Sequence, residues 1–116
     1  FEMGVVAYGN DTKIKQLGVP KLILSEHGAV SESIAAAMAS GVRSKAGTEL
    51  GIGVTGIAGP SGGTQEKPVG TVVFAVETSD QQEIRTRRFY GGRGLVNYQA
   101  SQFALDMVRR ILEDRD

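Results

Sequence analysis

Apolar and polar positions along this chain alternate between two periods, and each change of period marks an element. Gly4 to Tyr8 (Gly-Val-Val-Ala-Tyr) is a compact apolar run that reads as a short buried strand. Asn10 and Asp11 follow, both good N-caps, and Thr12 to Leu17 reads as a short helix stopped by Gly18. Pro20 opens a second helical piece that ends near His27-Gly28. Ser31 is an N-cap with Glu32 in the first turn, where the helix dipole favours a negative charge. Ile34, Met38 and Val42 then recur at i, i+4 and i+8 as far as Ala46, and Gly47 closes the helix. Alanines beside that stripe admit close approach of another element.

The second half changes to the strand period. Leu50, Ile52 and Val54 alternate with glycine and threonine, and a glycine-rich stretch runs from Gly56 to Gly63. Val69 to Glu77 is the strongest strand signal, and a polar turn at Ser79 to Gln82 joins it to a strand from Glu83 to Phe89. Val96, Ala100, Phe103, Met107 and Ile111 mark a long C-terminal helix. The order β-α-α-β-β-β-α predicts an α/β fold with a mixed sheet flanked by helices.

Composition narrows the classes. A chain of 116 residues suits one domain, without internal repeat or linker, and 41% hydrophobic with 22% charged residues lies far from the disordered class. Thirteen basic residues balance thirteen acidic ones, so no global field draws the chain to nucleic acid or membrane. Arg85, Arg87, Arg88 and Arg93 cluster locally, and Arg85 and Arg87, which share one face of a strand, read as a solvated sheet edge. The lack of cysteine removes disulfides and a thiolate nucleophile, and one histidine cannot build a multi-histidine metal centre. With no apolar run long enough to span a bilayer and no signal peptide, a reducing, cytoplasmic setting is the default. The first residue, Phe1, runs almost at once into a strand, which points to truncation or processing.

Three sets of residues invite chemistry. Gly51-Ile52-Gly53-Val54-Thr55-Gly56 matches G-x-G-x-x-G, but its glycines fall inside a strand followed by another strand, so a dinucleotide site is not expected. The stretch Thr55-Gly56-Ile57-Ala58-Gly59-Pro60-Ser61-Gly62-Gly63-Thr64 offers close backbone approach and free N–H donors to an anion. It equally fits a tight connection needing positive φ, and Lys67 beyond it serves either a ligand or solvent. Tyr8 ends a strand, and Lys13 lies in the first turn of the next helix, where the dipole disfavours an ammonium and pushes the amine toward its basic form. Such an amine can activate a hydroxyl with the phenol relaying the proton; the alternative is a solvated lysine beside a core-edge tyrosine. His27 reads as a helix-end cap.

Five collinear stretches, Val6 to Lys13, Leu17 to Pro20, His27 to Glu32, Val54 to Pro60 and Glu66 to Val72, closely resemble the CinA C-terminal domain family. The resemblance spans essentially the whole chain. It implies a three-layer α/β/α sandwich, in bacteria, that hydrolyses the carboxamide of nicotinamide mononucleotide to nicotinic acid mononucleotide and ammonia in pyridine-nucleotide recycling. It implies no metal or organic cofactor, a small-molecule nucleotide as the binding partner, and catalysis by a serine aided by Tyr8 and Lys13. Asn10 would orient the serine, and Thr55, Gly56, Ala58, Gly59, Gly62, Gly63 and Lys67 would bind substrate. The family carries its serine in an Ala-Glu-Ser-Cys-Thr-Gly-Gly segment on a strand–helix unit ahead of the matched part. These residues contain no such segment, so the fragment is expected to be inactive by itself. A sheet edge left open by the missing unit suits pairing with a second copy. Met3 stands where many members have a basic residue, Gly92 replaces the aspartate of a Gly-Asp-Arg motif whose Arg93 is kept, and Asn97 stands where an arginine often follows.

Overall fold

The computed structural model describes residues 1–114. Its helices are α1 (Asn10–Leu17), α2 (Lys21–His27), α3 (Glu32–Ala46) and α4 (Arg93–Asp114), and its strands are β1 (Gly51–Gly56), β2 (Thr71–Glu77) and β3 (Gln82–Arg88). Helix ends follow local chemistry. The Ser31 hydroxyl accepts the Ile34 N–H at 3.3 Å and donates to the Gly28 carbonyl at 3.0 Å, so it caps α3 and fixes the bend before it. Gly18 and Gly47 end α1 and α3 in the left-handed conformation, at φ 67° and 66°. At α1 the N-cap is Gly9, with no side-chain cap, so neither Asn10 nor Asp11 plays the capping part expected of it.

The strands form one sheet in the order β1-β2-β3. Both pairings are antiparallel, with Gly51 opposite Glu77 and Thr71 opposite Arg88. The expected mixed sheet is corrected here: among the described residues the sheet is antiparallel throughout, and Gly4–Tyr8 is not a strand. Strand propensity needs a ladder partner. No described strand lies beside this segment, so Val5 and Ala7 instead pack on the apolar cluster of Leu17, Val19 and Ile34.

Helices cover both faces, giving the three layers α/β/α. On one face Ala35 and Ala39 of α3 meet Val73 and Ala75 of β2, with Ile84 of β3 packed beside them. A side chain at Gly51 or Gly53 would strike the backbone of α3 at Ala39 or Ala35. Those glycines permit close helix–sheet packing and do not open a nucleotide-binding turn, which disposes of the G-x-G-x-x-G match. The other face is aromatic and aliphatic: Val72, Phe74 and Val76 pack on Val96, Ala100, Met107 and Ile111 of α4. Phe74 lies 4.7 Å from Phe103 and 6.1 Å from Phe89, centroid to centroid. Truncating the fully buried Phe74 to alanine removes about 3–5 kcal/mol of stability. No helix among the described residues is long and apolar enough to cross a membrane.

Candidate active site

Lys13 sits on the inner side of α1, and only 5% of its surface meets water. Its Nζ donates to the Ala7 carbonyl at 2.7 Å, folding the segment before the helix back over the amine. Burial lowers the pKa from the usual 10.5, because a dry environment disfavours the ammonium. Desolvation, not the helix dipole expected from the position of Lys13 in the sequence, is the cause. Tyr8 directly follows the carbonyl that Lys13 reaches, yet its side chain is 84% exposed and makes no hydrogen bond among the described residues. Asn10 is the exposed first residue of α1.

The glycine loop lies between β1 and β2. Its base continues the sheet, with the Ile57 N–H on the Thr71 carbonyl at 2.9 Å and the Gly70 N–H on the Ile57 carbonyl at 2.6 Å. Gly59 and Gly62 hold φ of 86° and 94°, values that other residues rarely adopt, and the Gly59–Pro60 bond is cis. A side chain on Gly59 or Gly63 would run into Val69, so both limbs of the loop need bare backbone there. The tight-connection reading is thereby realised at these positions.

Four side chains tie this loop and its roots to their surroundings. The buried Thr55 hydroxyl donates to the Ala29 carbonyl at 2.8 Å, and Lys67 Nζ donates to the His27 carbonyl at 2.9 Å. Arg93 Nη1 donates to the Gly59 carbonyl at 3.0 Å, and Arg88 Nε to the Val69 carbonyl at 3.2 Å. The Thr55 hydroxyl thus gives its proton to a structural bond and keeps its oxygen lone pairs. Ala58 packs on the α4-face core, and Gly56 ends β1 with Val72 crowding any added side chain. His27 offers its backbone carbonyl to Lys67, while its ring lies 3.8 Å from Glu26.

Ala29, the acceptor of Thr55, packs on the same apolar cluster as Ala7, the acceptor of Lys13. That cluster joins the amine corner to the root of the loop, although no hydrogen bond runs directly from one to the other among the described residues. An open cleft of about 340 Å³ lies under Lys67, lined also by His27, Ser31, Glu32, Glu66 and Thr86. Among the described residues no group of three His, Asp or Glu stands together so as to hold a metal. Sequence reasoning missed the ties made by Arg88 and by the His27 and Ala29 carbonyls, because each joins residues far apart in the chain.

The CinA C-terminal domain family matches residues 1–112. A CinA-like protein of Gemmatimonas aurantiaca is 52% identical over 107 residues, which is 92% of this chain and 25% of that protein. A CinA-like protein of Kosmotoga olearia is 47% identical over 97% of this chain and 27% of its own length. The chain thus spans about a quarter of these relatives. The crystal structure of a competence or damage-inducible protein from Enterobacter asburiae superposes with a TM-score of 0.89 at 34% identity, covering 94% of this chain and 69% of that one. The competence/damage inducible protein CihA of Agrobacterium tumefaciens does so at 0.85 and 37%, covering 90% and 64%. The motifs, the layered fold and these matches agree, and the chain belongs to the CinA C-terminal domain family.

Proposed function

We propose that this chain supplies the proton-handling and substrate-holding part of an amidohydrolase acting in the cytoplasm on nicotinamide mononucleotide. The observation that carries the reading is the buried amine of Lys13, whose pKa is lowered by its dry setting. A neutral amine has one lone pair, and with an N–H engaged by the Ala7 carbonyl it can take a proton from a hydroxyl brought alongside. The hydroxyl belongs to a serine supplied by polypeptide outside these residues.

In the proposed reaction the serine oxygen attacks the carboxamide carbon as its proton passes to Lys13, directly or through the Tyr8 phenol. The carbonyl π pair moves to oxygen, giving a tetrahedral oxyanion. Collapse breaks the C–N bond, and the proton held by Lys13 leaves with the amine as ammonia. Water then attacks the acyl ester by the same proton route, releasing nicotinic acid mononucleotide and the free serine. Asn10 orients the serine, and the glycine loop with Lys67 holds the nucleotide.

A second reading, a binding module without catalysis, draws on the same glycine loop, which Thr55 anchors at its root, Lys67 beyond it and Arg93 at Gly59. Ammonia release separates the two. A longer protein carrying the serine should release ammonia from nicotinamide mononucleotide and lose that activity on Lys13→Met, while the 116-residue chain alone should release none. Undiminished turnover by the Lys13→Met protein would remove Lys13 from the chemistry, and no ammonia from the unsubstituted serine-bearing protein would leave the binding module standing.

A further inference from the structure

The C-terminal helix carries two apolar faces, and only one of them has a partner among the described residues. Val96, Ala100, Met107 and Ile111 pack on the sheet. Tyr98, Leu105 and Leu112 lie on the far side of α4, with exposures of 64%, 62% and 53%. They recur every seven residues, which keeps them on one line along the helix. A helix that serves one core needs a single apolar stripe with polar residues opposite. The second stripe is about 21 Å long at the helical rise per residue, and covering its large side chains is favourable.

The spacing fits a second copy of the same helix. An interface between copies related by a two-fold axis is self-complementary, so that where residue i meets residue j, j also meets i. Tyr98 and Leu112 each lie seven residues from Leu105. Antiparallel pairing of two α4 helices about Leu105 therefore sets Leu105 against its own copy and Tyr98 against Leu112 at both ends. The charges permit it. Arg109, beside the stripe, is held by Asp106 at 2.7 Å and Glu113 at 2.9 Å on its own helix, so its charge is compensated before a second copy arrives. In that register Arg109 faces Ser101 and Glu113 faces Asn97, both uncharged and able to hydrogen-bond. A lipid surface fits less well, because Arg109 and Arg110 both pair with Asp106 and leave no basic belt beside the stripe.

We propose that α4 is a homodimer interface, on which two copies of this chain pair antiparallel through Tyr98, Leu105 and Leu112. The pairing is independent of the amidohydrolase reading. One helix pair is a small contact, so the dimer forms and dissociates with concentration.

Sedimentation of the 116-residue chain across micromolar concentrations should show a reversible monomer–dimer equilibrium. Leu105→Glu should weaken it by about tenfold or more without lowering the melting temperature. Leu22→Glu, at an exposed leucine on α2, should leave it unchanged. The chain has no cysteine, so single introduced thiols read the register. Under mild oxidation Leu105→Cys should crosslink to its own copy. Tyr98→Cys and Leu112→Cys should crosslink when mixed and not singly, since each lies about 21 Å from its own copy, beyond disulfide reach. A monomer at every concentration, a dimer that survives Leu105→Glu, or self-crosslinking of Tyr98→Cys overturns the interface. So does a serine-bearing longer protein that stays monomeric and shields the Leu105→Cys thiol from reagent, because a segment of the same polypeptide then covers the stripe.

Discussion

Lys13 and Lys67 spend their amines on the same kind of partner, a main-chain carbonyl, at 2.7 and 2.9 Å. They differ in the water left around them. Lys13 is buried in the α1 corner, where the ammonium is costly and its pKa falls. Lys67 keeps solvent contact at the mouth of a cleft and joins the loop to the end of α2. One bond geometry thus serves two purposes: a dry amine suits proton transfer, and a wet one suits a tie and an anion contact.

The comparison breaks first on activity. In the serine-bearing protein, Lys13→Met should lower kcat for ammonia release by roughly 10²–10⁴-fold, as expected for loss of a general base. Lys67→Met should act mainly on KM and lower kcat by less than about tenfold. Equal kcat losses would erase the distinction between the two lysines. Next in size is the buried tie at the loop root. Thr55→Val keeps the shape and leaves the Ala29 carbonyl without its donor, at a cost of about 1–3 kcal/mol by urea unfolding. Lys67→Ala removes a bond that water can replace and should cost at most about 1 kcal/mol in the same assay.

The smallest effect is a slope. The folded pKa of Lys13 lies below the 10.5 to which the amine returns on unfolding. Between those two values the unfolded chain holds the extra proton, so the Lys13 contribution to stability rises with pH up to 10.5 and is least favourable below the folded pKa. Unfolding measured across that window should show this rise in the natural chain. It should be missing from Lys13→Met.

Much of the frame was legible from local signals. Ser31, Gly18 and Gly47 announce helix ends through chemistry confined to a few residues, and the structure uses them so. The β2–β3 hairpin was legible for the same reason: its turn residues sit together, and the Thr78 N–H closes on the Gln81 carbonyl at 2.8 Å. Gly4–Tyr8 misled, since its strand character depends on a neighbour that apolar patterning within the segment cannot supply. Lys13 stood out by its place in a motif, but its burial depends on α1 facing α3. Its pKa is therefore lowered as expected while the stated cause changed from dipole to desolvation. Thr55 was placed among the substrate-binding residues by the family resemblance, and only the fold reveals that its hydroxyl donates to the Ala29 carbonyl. The tie of Arg88 was not legible, because its acceptor, Val69, lies on another strand's approach.

The account turns on burial lowering the pKa of the Lys13 amine, and its titration can be followed directly. Nitrogen or ε-carbon chemical shifts of lysine, assigned by comparison with Lys13→Met, give the pKa of this one amine in the folded chain. A midpoint clearly below 10.5 is the predicted result. A midpoint at or above 10.5 would contradict it, leaving Lys13 a charged structural tie.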